Sequence, residues 1–546
     1  MYIGNKNCID ISSSKFSDFI EKGNLYVDKT AFIEHILNDR SKVLLFTRPR
    51  RTGKSLNMDT LATFLDCKQN TAYLFNGLYV ESNPVFNKIN KHPVIYLSFR
   101  KLRSSGYKEQ FKYMIQDSLS YYLQKEEIDY KLAAYFDDKE NYDTNALMYL
   151  TQNLHAVYGE KPYILIDEYD KILMDNIYSN EYENIRRWIT EVFESALKDN
   201  ASLEKGILTG VTRVSKESMF SGLNNLAVYD IFTTGVYDRD FSLTEDEAQE
   251  LLTPEELSEV RDWYNNTRVG KERLFNIFST MSYLYYRKLD NYWANSGTLD
   301  ILINLMNKSR ADGLLEMIEN RNSFVITELQ PRLSLKNIVS NLSDSQFYSL
   351  AIQAGYLTYD IETYDIETEA EAGNSPTYRV YIPNLELRSV WREFILEFVV
   401  EMPGDDFRSI FNNINDTEEF SSQLKDFIDY RLSYYDTDKN EPERIYHVFL
   451  FGMTLAAKYK STSNKESGFG RYDLLIEGNT FNAVLEFKKA ADENELEKKA
   501  EEALQQIDKK KYYAGIKNSK PIYKVGIACY KTVCMVKTVL HEIQKI

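Results

Sequence analysis

Four short apolar runs punctuate residues 43–212: VLLFT (43–47), PVIYLSF (93–99), YILIDEYD (163–170) and GILTGVT (206–212). Between them, apolar residues recur at helical spacing and predict helices over 54–66, 107–125, 145–158 and 181–199. In the last of these Ile185, Trp188, Ile189, Val192, Phe193 and Leu197 share one face. Runs that are apolar throughout suit strands buried on both sides, and a helix between consecutive strands is what a parallel crossover needs. The pattern predicts an α/β domain built on a parallel sheet.

The strand signal fades from about 243 to 345. In TEDEAQELLTPEELSEV, Thr244 stands three residues before Glu247 and Thr253 three before Glu256, which predicts two capped helix starts in a helical region. Residues 355–385 read as two β-rich segments around an acidic loop, a hairpin wing. Beyond about 396 the pattern predicts a helix near 441–458, strands over 471–478 and 481–490, a charged helix over 492–511 and a strand over 523–530. A chain of 546 residues exceeds what one core serves. The expected division is 1–242, 243–395 and 396–546.

Composition narrows the function classes. With 43% hydrophobic and 27% charged residues the chain is of the folded type. No run approaches the ~18–20 apolar residues of a membrane span, and MYIGNKNCIDISSSKF lacks the basic-then-apolar order of a secretory signal. Cys8, Cys67, Cys529 and Cys534 have no zinc spacing and read as reduced, mostly buried thiols of a cytoplasmic protein. A net charge of −16 means that contact with DNA or RNA must use local basic patches.

TRPRRTGKS (47–55) ends in Gly53, Lys54 and Ser55, as a G-x-x-x-x-G-K-[ST] phosphate loop does, but Arg48 stands where the first glycine belongs. A strand precedes the loop and a helix starts at Lys54. The N–H groups of the loop, Thr52 and Gly53 included, would therefore lie at a helix N-terminus that favours phosphate. Lys54 would reach the β- and γ-phosphates of ATP, and Ser55 would ligate Mg²⁺. Pro49 has no N–H, and Arg48, Arg50 and Arg51 add positive charge that could clamp phosphate or face nucleic acid or a neighbouring domain. YILIDEYD supplies Asp167 at a strand end for the Mg²⁺ shell and Glu168 as general base toward water. Either motif alone has a bland reading, a chance GKS or a solvated strand end. Their order and strand–loop–helix context predict an ATP site.

A second constellation lies near the C-terminus. Glu486 and Lys488 are two apart and share one face of a strand, and a turn at Gly478-Asn479 folds that strand onto the one opened by Asp473. Two carboxylates can hold Mg²⁺ or Mn²⁺, and a lysine beside them can stabilise an attacking hydroxide. An E-x-K pair on a solvated strand is by itself ordinary. Lys509-Lys510-Lys511 reads more readily as a solvated helix face than as a set of phosphate contacts, and the order reverses for a working nuclease, whose phosphate contacts need local positive charge.

YVDKT (26–30), TRPRRTGKSLNM (47–58), ILIDEYD (164–170), GILTGVTRVSKESMFSGLNNL (206–226), WYN (263–265) and YWANSG (292–297) together resemble the bacterial AAA-ATPase-like family. Members of that family typically carry a C-terminal PD-(D/E)XK nuclease-like domain, and GRYD…EFKKA resembles its core. The resemblance implies that arginine at position 48 is the usual form and that Thr209 senses the γ-phosphate, with Arg213 a weaker candidate. It further implies that Glu443 is an additional metal-shell carboxylate and that Gln506 and Tyr512 form the helix motif of the nuclease. The resulting expectation is a P-loop core, a helical lid with a winged hairpin, and a restriction-endonuclease-like domain. Such a protein would be an ATP-dependent or ATP-regulated nuclease acting on DNA or RNA, possible as a homo-oligomer, and by resemblance alone would serve defence or mobile-element biology. The competing reading is a signalling or scaffold ATPase whose last domain binds nucleic acid or protein without cutting. A P-loop phosphotransferase is disfavoured, because the Asp167-Glu168 pair points to water as acceptor.

Overall fold

The computed structural model describes residues 2–541 apart from 139, 141, 214–222, 224, 294–300, 303–304, 307, 331–341, 363–376, 400–403, 433–449, 452, 455–456, 458, 464–465, 468–469, 517–518 and 531–532. It divides into two compact units, one of residues 1–305 with 324–388 and one of residues 306–323 with 389–546.

The first unit contains the predicted parallel sheet. Its strands are β1 (Val43–Thr47), β2 (Val94–Ser98), β3 (Tyr163–Asp167), β4 (Lys205–Gly210) and β5 (Leu226–Tyr229), in the spatial order β2-β3-β4-β1-β5. Every pairing is parallel. Helices α1 (Lys54–Leu65), α2 (Tyr107–Tyr122), α3 (Ala146–Tyr158) and α4 (Tyr182–Leu197) make the crossovers. β1, β3 and β4 are buried at every position, as their unbroken apolar pattern requires. β5 escapes the sequence pattern because it is a short edge strand with only Leu226 buried. Under β1 an aromatic cluster joins Phe32, Phe46, Tyr237 and Phe241, with Phe46 4.8 Å from Tyr237 and 5.7 Å from Phe241 between ring centroids. Each ring so buried contributes about 1.5–3 kcal/mol.

Helices α5 (Glu245–Leu251), α6 (Pro254–Tyr264), α7 (Ile277–Tyr286) and α8 (Asp344–Ala354) complete the first unit together with a three-stranded sheet. That sheet consists of β6 (Val325–Glu328), β7 (Thr358–Ile361) and β8 (Thr377–Tyr381) in the order β6-β8-β7, all antiparallel. The expected hairpin is β7–β8, and its acidic loop lies outside the described residues. β6 was not foreseen.

In the second unit a mixed sheet runs β9 (Lys460–Ser463), β10 (Leu474–Glu477), β11 (Asn482–Lys489), β12 (Ile522–Tyr530) and β13 (Val533–His541), in that order. Only β11–β12 is parallel. α9 (Leu385–Val399) opens in the first unit, α10 (Thr417–Leu432) packs on β13, and α11 (Leu496–Lys510) covers β11 and β12. Ala500 and Ala503 on the buried face of α11 allow that close approach. The predicted helix near 441–458 falls largely outside the described residues. β13 alternates buried and half-exposed positions at the sheet edge, so its apolar signal is diluted.

The cysteine expectation is corrected. Cys529 and Cys534 stand directly opposite each other on β12 and β13, with Cα atoms 4.2 Å apart, and are joined by a disulfide. Cys8 and Cys67 are free thiols, and Cys8 is exposed. Among the described residues no helix is long and apolar enough to cross a membrane.

Both predicted caps form. The Thr244 hydroxyl accepts from the Glu247 N–H at 3.3 Å while the Thr244 N–H donates to the Glu247 carboxylate at 2.8 Å. Thr253 and Glu256 repeat the pattern. Only the first box is tied to the interior, because Glu247 also accepts two of the three bonds of the buried Lys29 ammonium, at 2.7 and 2.8 Å. Thr253→Ala should therefore destabilise the first unit by ~0.5–1 kcal/mol and Thr244→Ala by up to ~2 kcal/mol. Denaturant titration of the single variants checks the order.

Candidate functional site

β1 ends at Thr47, α1 begins at Lys54, and the loop between them edges a cavity of about 490 Å³. Gly53 holds φ 87°, a left-handed conformation that favours glycine, and Arg51 adopts φ 63°. No acceptor among the described residues takes the N–H groups of residues 51–55. Successive unpaired donors at a helix N-terminus form a concavity suited to phosphate. The Lys54 ammonium is buried, donates to the carbonyls of Arg48 at 3.0 Å and Pro49 at 2.7 Å, and is lowered by that burial to about 8.

β3 brings the acidic pair to the same cavity. Asp167 accepts from the Ser55 hydroxyl at 2.6 Å and, on its other oxygen, from the Thr209 hydroxyl at 2.5 Å. Glu168 lines the cavity with φ 54°, an uncommon conformation for a glutamate. Burial first, and then the Asp167 charge, hold its carboxyl above the usual carboxylate range, while Arg100 on the cavity wall opposes them. The geometry thus gathers Arg50, Arg51, Thr52, Gly53, Lys54, Ser55 and Glu168 around one space, with Asp167 directly behind Ser55.

Arg48 lies elsewhere. It is 1% exposed, and its guanidinium donates to the carbonyls of Thr47 at 3.0 Å, Tyr229 at 2.8 Å and Tyr237 at 3.3 Å. It stands 5.2 Å from the Phe241 ring centroid, and burial lowers it to about 10. The expectation that it clamps phosphate is therefore corrected. The alternation of β1 continues one step past Thr47, so Arg48 points the way Phe46 points, into the aromatic cluster and away from the loop. Thr209 is fully buried and acts on Asp167, not on the cavity space. Arg213 pairs with the buried Asp230.

Several cavity residues were not singled out beforehand. Asp170 is buried and accepts from the N–H groups of Val211 at 3.0 Å and Thr212 at 2.7 Å, fixing the end of β4. Phe278 and Met281 of α7, together with Trp293, line the far wall. Nothing in the local spacing distinguishes these from core residues.

In the second unit Asp473, at the entry to β10, accepts from the Phe487 N–H at 2.8 Å. Glu486 on β11 is 2% exposed. One of its oxygens accepts from the Lys488 ammonium at 3.5 Å and from the Gln506 amide. That amide also donates to the Tyr512 hydroxyl at 3.1 Å. The other oxygen of Glu486 is buried with no hydrogen-bond partner. Burial, and then the neighbouring Asp473 charge, push Glu486 up to about 8. A buried, orphaned carboxylate oxygen beside a second carboxylate is the environment that a divalent cation relieves. Among the described residues no three His, Cys, Asp or Glu gather as a metal set, and Glu443 lies outside the described residues. Of the expected trio, Lys488 bonds Glu486 and Asp473 lies close enough for its charge to act on Glu486, while Gln506 holds the bonded oxygen of Glu486.

Residues 10–220 match the family model described as "Predicted AAA-ATPase", and residues 441–539 match that of the PD-(D/E)XK nuclease superfamily. An "Uncharacterized protein in vnfD 5'region" of Azotobacter chroococcum mcd 1 is 29% identical over 378 residues, 68% of this chain. The chain spans 66% of that relative's length. The chain therefore has a region similar to the predicted AAA-ATPase family, built on the parallel α/β sheet, followed by a region similar to the PD-(D/E)XK nuclease superfamily.

Proposed function

We propose that the first unit binds and hydrolyses ATP and that the second cleaves phosphodiester bonds of DNA or RNA under its control. The observation that carries the reading is the orphaned oxygen of Glu486 beside Asp473, Lys488 and Gln506. Burying such a group without a partner is unfavourable, so its persistence supports a role toward a cation.

In the first unit the N–H groups of residues 51–55 and Lys54 bind the phosphates. Ser55 and Asp167 would hold Mg²⁺, with Thr209 fixing Asp167. Glu168, with its raised proton affinity, orients a water and accepts its proton as the water attacks the γ-phosphoryl group. In the second unit Asp473 and Glu486 would hold Mg²⁺ or Mn²⁺, a Lewis acid that polarises the scissile phosphate when bound. Lys488 orients the water nucleophile and offsets charge growing on the phosphoryl oxygens. Gln506, braced by Tyr512, keeps one Glu486 oxygen engaged so that the other faces the cation.

Lys54→Ala should weaken ATP binding by about ten- to a hundredfold, the range of a charge-assisted contact. Glu168→Gln should retain binding and lose about 10²–10⁴-fold in hydrolysis. Calorimetric titration and phosphate release separate the two. Wild-type hydrolysis by Glu168→Gln would reassign the base.

Glu486→Gln or Lys488→Ala should remove cleavage in Mg²⁺ or Mn²⁺ while leaving ATP hydrolysis largely intact. A chain that binds nucleic acid with these metals but never cuts it is the scaffold of the competing reading. Because Glu486 is raised from its ordinary value to about 8, its contribution to stability is complete below about 4.5, the unperturbed range, and is lost as pH rises through about 8. The metal-free second unit should melt lower at pH 9 than at pH 6. Added Mn²⁺ should raise its Tm more at the higher pH, and Glu486→Gln should flatten both trends.

A further inference from the structure

Residues 49–52 of the phosphate loop are held one after another from the helical part of the same unit. Gly355, just past α8, comes so close that a Cβ on it would stand 2.6 Å from the Cβ of Pro49. The Trp293 indole N–H donates to the Arg50 carbonyl at 3.2 Å. The Arg51 guanidinium lies 4.1 Å from the Phe278 ring centroid. The Ser242 N–H donates to the Thr52 carbonyl at 2.9 Å.

The two carbonyl bonds fix the direction of the donors that follow. In a trans peptide the C=O and the next N–H point opposite ways. Holding the Arg50 carbonyl toward Trp293 therefore turns the Arg51 N–H away from it, and holding the Thr52 carbonyl toward Ser242 does the same for Gly53. Trp293 is in turn immobilised. Its backbone N–H donates to Glu386 at 3.0 Å, beside the Tyr292 N–H at 2.9 Å on the same oxygen, and the Ser279 hydroxyl reaches that carboxylate at 2.9 Å. Its ring meets Tyr356 edge-on, 4.6 Å between centroids. Glu386 is 2% exposed, and these three donors satisfy a carboxylate that burial makes unfavourable.

We propose that Trp293, fixed by Glu386, is a positioning residue for nucleotide binding: it sets the Arg50–Arg51 peptide so that the loop presents its N–H groups to phosphate. The loop is ready to bind only while Trp293 stands over it. The inference rests on the reading of this loop as an ATP site.

Trp293→Phe keeps the ring and its contact with Tyr356 but removes the indole donor. It should raise Kd and KM for ATP by about three- to tenfold, the worth of one hydrogen bond, with the change falling on KM rather than kcat. Glu386→Ala should reproduce the effect, and Glu386→Gln, whose amide oxygen still accepts the Trp293 N–H, should recover most of it. A folded Trp293→Phe chain with wild-type Kd and KM overturns the proposal, as does a loss confined to Tm and kcat. Should Trp293→Phe not fold, the Glu386→Ala and Glu386→Gln pair reads the same link, and equal KM in the two overturns it. Loss of binding in Lys54→Ala with none in Trp293→Phe removes the positioning role alone, whereas a wild-type chain that binds no ATP removes both readings.

Discussion

A row of backbone N–H groups left without a protein acceptor is the constraint on which the first unit depends. Protein interiors satisfy nearly all such donors, so a loop that keeps them open must be held by every other group it has. The carbonyls of residues 48–50 and 52 take on that duty. Lys54 bonds two of them from inside the loop, and Trp293 and Ser242 bond the others from the helical side. Arg48 belongs to the same logic. Where the usual loop has a glycine, this one has a long side chain that ties the ends of β1 and β5 together through the carbonyls of Thr47 and Tyr229 and reaches that of Tyr237. The arginine firms the foot of the loop and leaves its mouth open.

The second unit meets the opposite problem with the same means. There the group kept open is an acceptor, one oxygen of Glu486, and the groups that hold it are donors: Lys488 and Gln506 on its partner oxygen. The same strand and a covering helix supply them, because β11 carries the E-x-K pair and α11 lies across it.

Much of this was legible in the sequence where chemistry and periodicity coincide. The unbroken apolar runs gave four of the five parallel strands, and the order of GKS and DE marked the loop and its acidic partner. The Thr-x-x-Glu spacings gave two caps that form as written. What failed to show was direction. At Arg48 the pattern gives a cation beside a phosphate loop, but strand alternation sends it to the Phe46 side. Thr209 reads as a strand end and proves to be a support for Asp167. Trp293 and Glu386 are 93 residues apart, and no local rule joins a tryptophan to a carboxylate at that distance. Edge strands such as β5 and β13 escape because half their residues face outward and dilute the apolar signal.

The disulfide between β12 and β13 links residues separated by five positions. A loop that short restricts the unfolded chain little, since the entropy removed grows with the length enclosed. What the bond fixes is alignment. In a hairpin a slip of one residue exchanges the two faces of a strand. Here it would break the pairing of Gly526 with Lys537 and of Ala528 with Met535. β12 is also the strand that holds β11 in register, with Glu486 opposite Gly526 and Lys488 opposite Ala528. The covalent link, one position beyond the pairing of Lys488 with Ala528, thus acts as a ruler for the sheet, keeping the strand that carries the carboxylate and lysine in step with its neighbour.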